Sequence, residues 1–179
     1  VADIVFFGPN ASADGRCWIV DGKLERFNAN GLTKYAIPES VTKIGDGVFK
    51  NCNKLTHMTL PNSITSIGVD AFAGCTGLKH LNVGCDIKLV DSNILGQIKS
   101  VTLLEGVKNA EHLKQFRNIK SYNGMYSSSD GRCLVVDGRL IRFVGDGVTH
   151  YAIPYGVTKI DDEALCDRSA LTSIALPES

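Results

Sequence analysis

The chain repeats itself on two scales, and this self-similarity constrains its fold more than any other feature. Residues 11–63 recur without a gap as residues 127–179, with 27 of 53 positions identical. Inside this long repeat lies a shorter one, because the string IPESVTKIGDGVFKNCNKLTHMT (37–59) is followed by LPNSITSIGVDAFAGCTGLKHLN (60–82). A period of roughly 20–30 residues is typical of solenoids, in which each unit buries its apolar side only against its neighbours. The pattern therefore predicts one repeat solenoid over residues 1–179.

The charge and hydropathy of the chain exclude several classes of function. Nineteen basic and nineteen acidic residues cancel, so the chain lacks the basic excess that a nucleic-acid backbone or an anionic membrane requires. We expect no nucleic-acid partner. No apolar run approaches the roughly 18 residues of a membrane span, so we expect a chain that is not membrane-spanning. The opening residues VADIVFFGPN carry no export pattern, so any export signal has been removed or lies elsewhere.

Each short unit contains the pattern Leu-x-x-Leu-x-Leu or a close variant, as at Leu55, Met58 and Leu60. The last two apolar positions alternate with polar ones, which predicts a short parallel strand with one buried face. Asp46 then precedes an apolar segment in which Phe49 can fill the interior. Aspartate is a favourable helix N-cap, so we expect a single helical turn on the convex side of each rung.

Two segments, 11–36 and 127–152, interrupt the repeat. Each contains Asp-Gly between two runs of alternating apolar residues, at Asp21-Gly22 and at Asp137-Gly138. This arrangement is a strong two-residue hairpin signal, because the turn needs positive φ at both positions. We therefore predict two inserted β-hairpins. The other predicted segments are regular 23-residue repeats over 37–83, irregular repeats over 84–126 and truncated final repeats over 153–179.

The irregular segment carries a pattern of its own. Val107, Ala110, Leu113 and Phe116 recur at helical spacing. This stripe predicts a convex helix near 107–117 that packs on the core. The sequence leaves open whether residues 84–126 are a decayed repeat or a selected binding surface.

The residues quoted above resemble a known family. The string IPxSVTxIGxxxFxxCxxLTxxxLP is similar to the BspA-type leucine-rich repeats of bacterial surface proteins, and the segment that begins DGRCLVVDGRLIRF looks like the hairpin module that often precedes them. The resemblance covers residues 11–83 and 127–179. It implies an α/β repeat solenoid with a right-handed leucine-rich array, export to the cell surface or secretion, and a role in adhesion or protein recognition. It supplies no catalytic residues.

In a parallel ladder, buried residues alternate with residues on the open face of the sheet, and rungs stack about 4.8 Å apart. The open face carries mostly small polar side chains and few of the aromatic anchors that dominate tight interfaces. Anchors could come from Trp18, Arg26, Tyr126, Arg142 and Tyr155, or these residues could simply pack within and around the hairpins. The candidate binding face consists of Lys34, His57, Thr59, His80, Asn82, Ser100, Thr102, Ser121, His150 and Ser173.

Three of the four histidines fall in one column of this face, which raises the question of a metal site. His57 and His80 should lie on neighbouring rungs, whereas His150 should lie roughly 14 Å beyond His80. Zinc takes three or four protein ligands at about 2 Å. We therefore expect no structural metal, and a weak adventitious site at His57 and His80 is the alternative.

Catalysis is not expected either, and no cofactor is implied. The strings Gly-x-Ser-x-Gly, HExxH and the phosphate-binding loop do not occur. The string DGRC occurs in both hairpins, and its duplication favours a structural role. The six cysteines read as small buried residues with free thiols, since Cys52 and Cys75 should point the same way on stacked rungs.

The last residues, LTSIALPES, stop where earlier copies continue as VTKIG or ITSIG. An uncovered rung exposes a strand edge and part of the core. We expect either further repeats or a covering molecule, which makes a homodimer through an open repeat edge one alternative. The leading functional prediction is a non-enzymatic recognition module that binds a protein or glycan. The alternative is a structural spacer within a longer surface protein.

Overall fold

A computed structural model describes residues 4–86, 88, 90, 94, 97–116 and 118–178. Within this part of the chain, no helix is long and apolar enough to cross a membrane. The described residues form a β-solenoid of stacked parallel strands. The strands are β1 (Cys17–Val20), β2 (Lys23–Phe27), β3 (Lys34–Ala36), β4 (Lys43–Ile44), β5 (His57–Leu60), β6 (Ser66–Ile67), β7 (His80–Val83), β8 (Ser100–Leu103), β9 (Ser121–Gly124), β10 (Cys133–Val136), β11 (Arg139–Phe143), β12 (His150–Ala152), β13 (Lys159–Ile160) and β14 (Ser173–Ala175).

The leucine pattern forms the main sheet, which has five parallel strands in the order β3-β5-β7-β8-β9. His57 of β5 pairs with His80 of β7, a separation of one 23-residue period. The next rungs are shorter, because Ser100 pairs with His80 and Ser121 pairs with Ser100. The alternating side chains of these strands point into the core, where Met58, Leu81, Val101 and Tyr122 are buried and Tyr35 of β3 is half-buried. The alternation in the sequence therefore correctly predicts the strands and their inner face.

Both Asp-Gly segments form antiparallel hairpins, as predicted. β1 pairs with β2 and β10 pairs with β11. Asp21 and Gly22 adopt φ angles of 48° and 75°, the left-handed region that a two-residue hairpin turn requires. The first hairpin continues into a second sheet in the order β1-β2-β4-β6, and the other hairpin begins the shorter sheet β10-β11-β13.

The second hairpin interrupts the main sheet. After β9 the chain does not add another rung to that ladder, and β12 and β14 form a separate two-stranded parallel sheet. The rungs of the leucine-rich pattern are thus divided between a sheet of five strands and a sheet of two. The interruption has a local cause, since Tyr122 of β9 donates its backbone N–H to the carbonyl of Gly131 at 2.8 Å in the segment that leads into the hairpin.

Residues 45–56, 68–79 and 161–172 fold as turns, so the prediction of a short convex helix in these rungs was wrong. Phe49 donates its backbone N–H to the carbonyl of Ala71 in the next rung at 2.7 Å, whereas a helix would direct it along its own chain. Asp70 adopts a φ of 55°, which a right-handed helix excludes. Asp46 does not cap a helix, because its carboxylate accepts the N–H of Val69 one rung away at 2.8 Å.

The helix expected near residues 107–117 is instead a shorter 3-10 helix, Ala110–Gln115. Asn109 begins it with a left-handed φ of 55° and makes no side-chain cap; its amide donates to Asp86 at 2.8 Å. Val107 and Leu113 are buried, as the apolar stripe predicted. No α-helix occurs in residues 4–86, 97–116 or 118–178.

Two hydrophobic cores lie on either side of the second hairpin. Leu134 and Ile141 belong to the larger core, which extends back to the first hairpin. Cys133 and Leu140, on the alternate positions of the same strands, belong to the smaller core of the last rungs. The second hairpin therefore separates the two cores and contributes one face to each.

Candidate binding face

The outward side chains of the main sheet form a polar surface with two columns. Each of β5, β7 and β8 alternates a half-exposed residue with a buried one. Five of the candidate residues stand first in their strands: Lys34, His57, His80, Ser100 and Ser121. Thr59, Asn82 and Thr102 form the neighbouring column. Eight of the ten candidate residues therefore lie together on one sheet.

The remaining two candidates, His150 and Ser173, lie elsewhere. They pair with each other across β12 and β14, in the small sheet beyond the second hairpin. Both side chains are exposed. The hairpin that interrupts the ladder separates them from the main sheet, and no feature of the short repeat pattern reveals this break.

Hydrogen bonds between rungs order the small polar residues. The Asn82 amide donates to the Thr59 hydroxyl at 3.0 Å. The Ser121 hydroxyl and the Asn123 amide both donate to the Ser100 hydroxyl at 3.1 Å. Because each side chain is held by the rung beside it, the face presents hydroxyl and amide groups in fixed positions. Such groups can bind the hydroxyls of a glycan or the backbone of a protein.

His57 and His80 stack face to face at the centre of this surface. Their ring centroids are 4.2 Å apart and the planes differ by 15°. The Thr56 hydroxyl lies 2.8 Å from Nδ1 of His57 and fixes that ring. Burial lowers the pKa of His57, and the positive charges of His80 and Lys34 lower it further. His57 therefore stays neutral to a lower pH than an isolated histidine.

This stacking gives a testable pH dependence. In an NMR titration, we expect the pKa of His57 to lie below 6.5 and to rise in His80→Gln, which removes a neighbouring charge. The pKa of His57 is lower in the folded chain than in the unfolded chain, so the unfolded chain takes up this proton at a higher pH. The contribution of His57 to stability is therefore present above pH 6.5 and is lost as the pH falls through the lowered pKa. Thr149→Ala beside the remote His150 is the control and should leave the His57 titration unchanged. An unchanged His57 pKa in His80→Gln would contradict the stacked arrangement.

Among the described residues, no group of three or more His, Cys, Asp or Glu side chains is placed to hold a metal ion. The six cysteines are free thiols. Burial raises the pKa of the Cys85 thiol to about 11, which keeps it protonated at neutral pH.

The five residues considered as anchors have different surroundings. Trp18 pairs with Arg26 across the first hairpin, and both line an open cavity of about 540 Å³ with Phe6 and Glu25. Tyr155 is 92% exposed. Tyr126 is partly buried against the larger core, whereas Arg142 is buried and donates to Sγ of Cys166 at 2.9 Å. Packing therefore accounts for Tyr126 and Arg142, and Trp18, Arg26 and Tyr155 are available to a ligand.

Sequence reasoning missed a cavity of about 600 Å³ beside the first strand of the main sheet. The loop Pro9–Asp14 lines one side, and Tyr35, Ala36 and Pro38 line the other. The Ser12 hydroxyl fixes this loop by accepting the N–H of Cys17 at 2.8 Å. The recurrence of Ser12 two residues before DGRC, as Ser128 in the second copy, is the signal that could have indicated an ordered loop here.

Stacked leucine-rich strands, a polar sheet face and the Asp-Gly hairpins define a leucine-rich repeat protein. The model of the BspA type leucine rich repeat region matches residues 23–126 in six copies, which is more than half of the chain. The chain belongs to this family. No curated protein sequence is significantly similar to the chain.

Several solved structures are similar to the chain. A leucine rich cell surface protein from Faecalibacterium prausnitzii A2-165 is 21% identical, with a TM-score of 0.41, over 98% of this chain and 55% of that protein. A leucine-rich repeat protein from Bacteroides capillosus ATCC 29799 is 18% identical, with a TM-score of 0.33, over 99% of this chain and 97% of that one. The T. pallidum leucine rich repeat protein is also 18% identical, with a TM-score of 0.34. The chain thus spans about half the length of the Faecalibacterium protein.

Proposed function

We propose that the chain is a non-enzymatic recognition module that binds a protein or glycan through the outer face of the main sheet. The observation that carries this proposal is the pair of ordered polar columns, in which Asn82 bonds Thr59 and Ser121 bonds Ser100 across the rungs. Ordering these side chains before binding reduces the entropy lost on association. Family membership supports localisation of the chain at the cell surface or its secretion from the cell. Its partners there are a protein or glycan, and a second copy of the chain that contacts an open repeat edge.

The alternative is a spacer that holds another domain away from the cell and has no ligand of its own. The neutral overall charge of the chain favours this alternative. The open cavities beside the first hairpin favour recognition, because a spacer needs neither the Trp18–Arg26 pair nor an ordered loop beside Tyr35.

Binding can be tested with a glycan array and a panel of immobilised matrix proteins. The double variant Thr59→Arg/Thr102→Arg places two long charged side chains on the face. It is expected to weaken the affinity for any captured ligand by at least about tenfold, because each arginine covers the part of the face on its own strand. The matched control is Ser66→Arg on the second sheet, where Ser66 is exposed in β6. Equal binding by the double variant and the control would refute this face as the site. Failure to retain any ligand would support the spacer.

A further inference from the structure

Basic and acidic side chains occupy opposite ends of the main sheet, although the charges of the whole chain cancel. The five strands of this sheet, all within the described residues, contain no Asp or Glu. Acidic residues follow β3, β7 and β8 by two or three positions, at Glu39, Asp86 and Glu105. Basic residues precede the strands or begin them. The end of the sheet where the strands start is therefore basic.

Three lysines form a column at this end, each immediately before a strand: Lys79, Lys99 and Lys120. Lys99 donates its backbone N–H to the carbonyl of Lys79 at 2.8 Å, and Lys120 donates its own to the carbonyl of Lys99 at 2.7 Å. Their side chains therefore project from consecutive rungs, about 4.8 Å apart. Like charges directly opposite each other on neighbouring strands are unfavourable. Among the described residues, one carboxylate pairs with this column, that of Asp146 with Lys120.

A second basic column adjoins the lysines on the outer face of the sheet. Lys34 of β3 pairs with His57 of β5, and His57 pairs with His80 of β7. Lys34 is exposed and positively charged, and the histidines become charged as the pH falls. The two columns together face solvent with positive charge on every rung from β3 to β9. An anion bound along them would offset the repulsion within each column.

Two further properties of the outer face select the class of anionic ligand. Its side chains include hydroxyl and amide groups held by the neighbouring rung, as the Asn82 amide is held by Thr59. Such groups bind the hydroxyls of a sugar. The outward residues of the five described strands include no Trp, Tyr, Phe or Arg, the anchors on which tight protein interfaces depend. A polysaccharide also repeats its charges along its length, as the face repeats its cations along the rungs.

We propose that the ligand of the outer face is an acidic polysaccharide. Its sulfate or carboxylate groups contact the two basic columns, and its hydroxyls contact Thr59, Asn82 and Ser100. This inference rests on the proposed function, because it names the ligand of the same face. The site is centred on β5, β7 and β8, each of which is paired on both sides, so it is complete within the main sheet.

Dextran and dextran sulfate share a sugar backbone and differ in charge, so surface plasmon resonance with each polymer immobilised tests the inference. The unaltered chain is expected to bind dextran sulfate and not dextran. Lys79→Gln/Lys99→Gln should weaken the affinity for dextran sulfate at least about fivefold, because two charge contacts are lost. The control Lys43→Gln/Lys159→Gln removes the same charge from exposed strand residues outside the main sheet and should bind like the unaltered chain.

His57 reports whether the polysaccharide reaches the columns. Burial lowers its pKa, and so do the charges of His80 and Lys34, which face it from β7 and β3. In an NMR titration, dextran sulfate should raise the pKa of His57, because a nearby anion favours the protonated ring, and dextran should leave it unchanged. By linkage, the affinity for dextran sulfate should increase as the pH falls through this pKa.

Failure to bind dextran sulfate, or equal binding of dextran, would overturn the inference. Equal losses in the two double variants would also overturn it, because total charge would then determine binding, as would an unchanged His57 pKa with dextran sulfate bound. Tighter binding of poly-glutamate than of dextran sulfate would replace the polysaccharide with an acidic protein segment. A neutral glycan captured by the chain and lost in Thr59→Arg/Thr102→Arg would overturn the inference and leave the proposed function standing.

Discussion

Phe49→Ala is expected to lower the free energy of unfolding by about 3–5 kcal/mol, the usual cost of deleting a buried aromatic ring. Phe49 is 0% exposed and stacks on Phe72, with ring centroids 5.0 Å apart and planes within 7°. Phe27 packs against its other side at 4.8 Å. Removing the ring leaves a cavity between three rungs, and the neighbouring strands are held by ladder hydrogen bonds that limit collapse. Urea unfolding monitored by circular dichroism measures the loss.

The duplicated half supplies the control for this substitution. Leu165 occupies the position equivalent to Phe49 and is only partly buried in the smaller core. Leu165→Ala should therefore cost less, under about 2 kcal/mol, since part of the removed surface is already hydrated. If the two variants lost the same stability, Phe49 would not be the central contact of the larger core.

Gly124→Ala is expected to lower the free energy of unfolding by about 2–6 kcal/mol, the sum of a conformational cost and a packing cost. Its φ of 94° disfavours any side chain, which costs of order 1–3 kcal/mol. The new Cβ would also lie 2.1 Å from the Leu103 carbonyl oxygen, so the backbone of β8 must move. Overpacking of this kind costs a further 1–3 kcal/mol or so. Thermal unfolding gives the difference from the unaltered chain.

Gly8→Ala separates the two causes, because Gly8 shares the φ angle but has no neighbour within 4 Å. Gly8→Ala should lower the free energy of unfolding only by the conformational cost, about 1 kcal/mol. Equal losses at Gly8 and Gly124 would mean that the contact with Leu103 is unimportant and that only the backbone angle matters.

Strands and hairpins could be predicted from the sequence because local patterns determine them. Alternation at Met58 and Leu60 specifies which face of β5 is buried, and Asp21-Gly22 specifies the hairpin turn. The columns of the candidate binding face follow directly from the 23-residue period, which is why Thr59 and Asn82 lie side by side.

The connecting turns could not be predicted in the same way, because their structure depends on the neighbouring rung. Asp46 resembles a helix cap in sequence, but its carboxylate bonds Val69 of the next unit. The division of the ladder after β9 likewise depends on the Tyr122–Gly131 hydrogen bond, a contact that no repeat pattern encodes. The pairing of His57 with His80 could be predicted, whereas His150 lies in the separate sheet of β12 and β14. The sequence also contained no sign of the Thr56 hydroxyl that fixes the His57 ring against His80.

The position of the second hairpin between two cores affects how unfolding spreads along the chain. In a repeat array, the stability of each unit depends on its own interactions and on its interfaces with the neighbouring units. Leu134 and Ile141 pack on the larger core, whereas Cys133 and Leu140 pack on the smaller one, so loss of the smaller core removes only the second set of contacts. We therefore expect denaturation that begins in the last rungs to stop at this hairpin and to leave the main sheet folded.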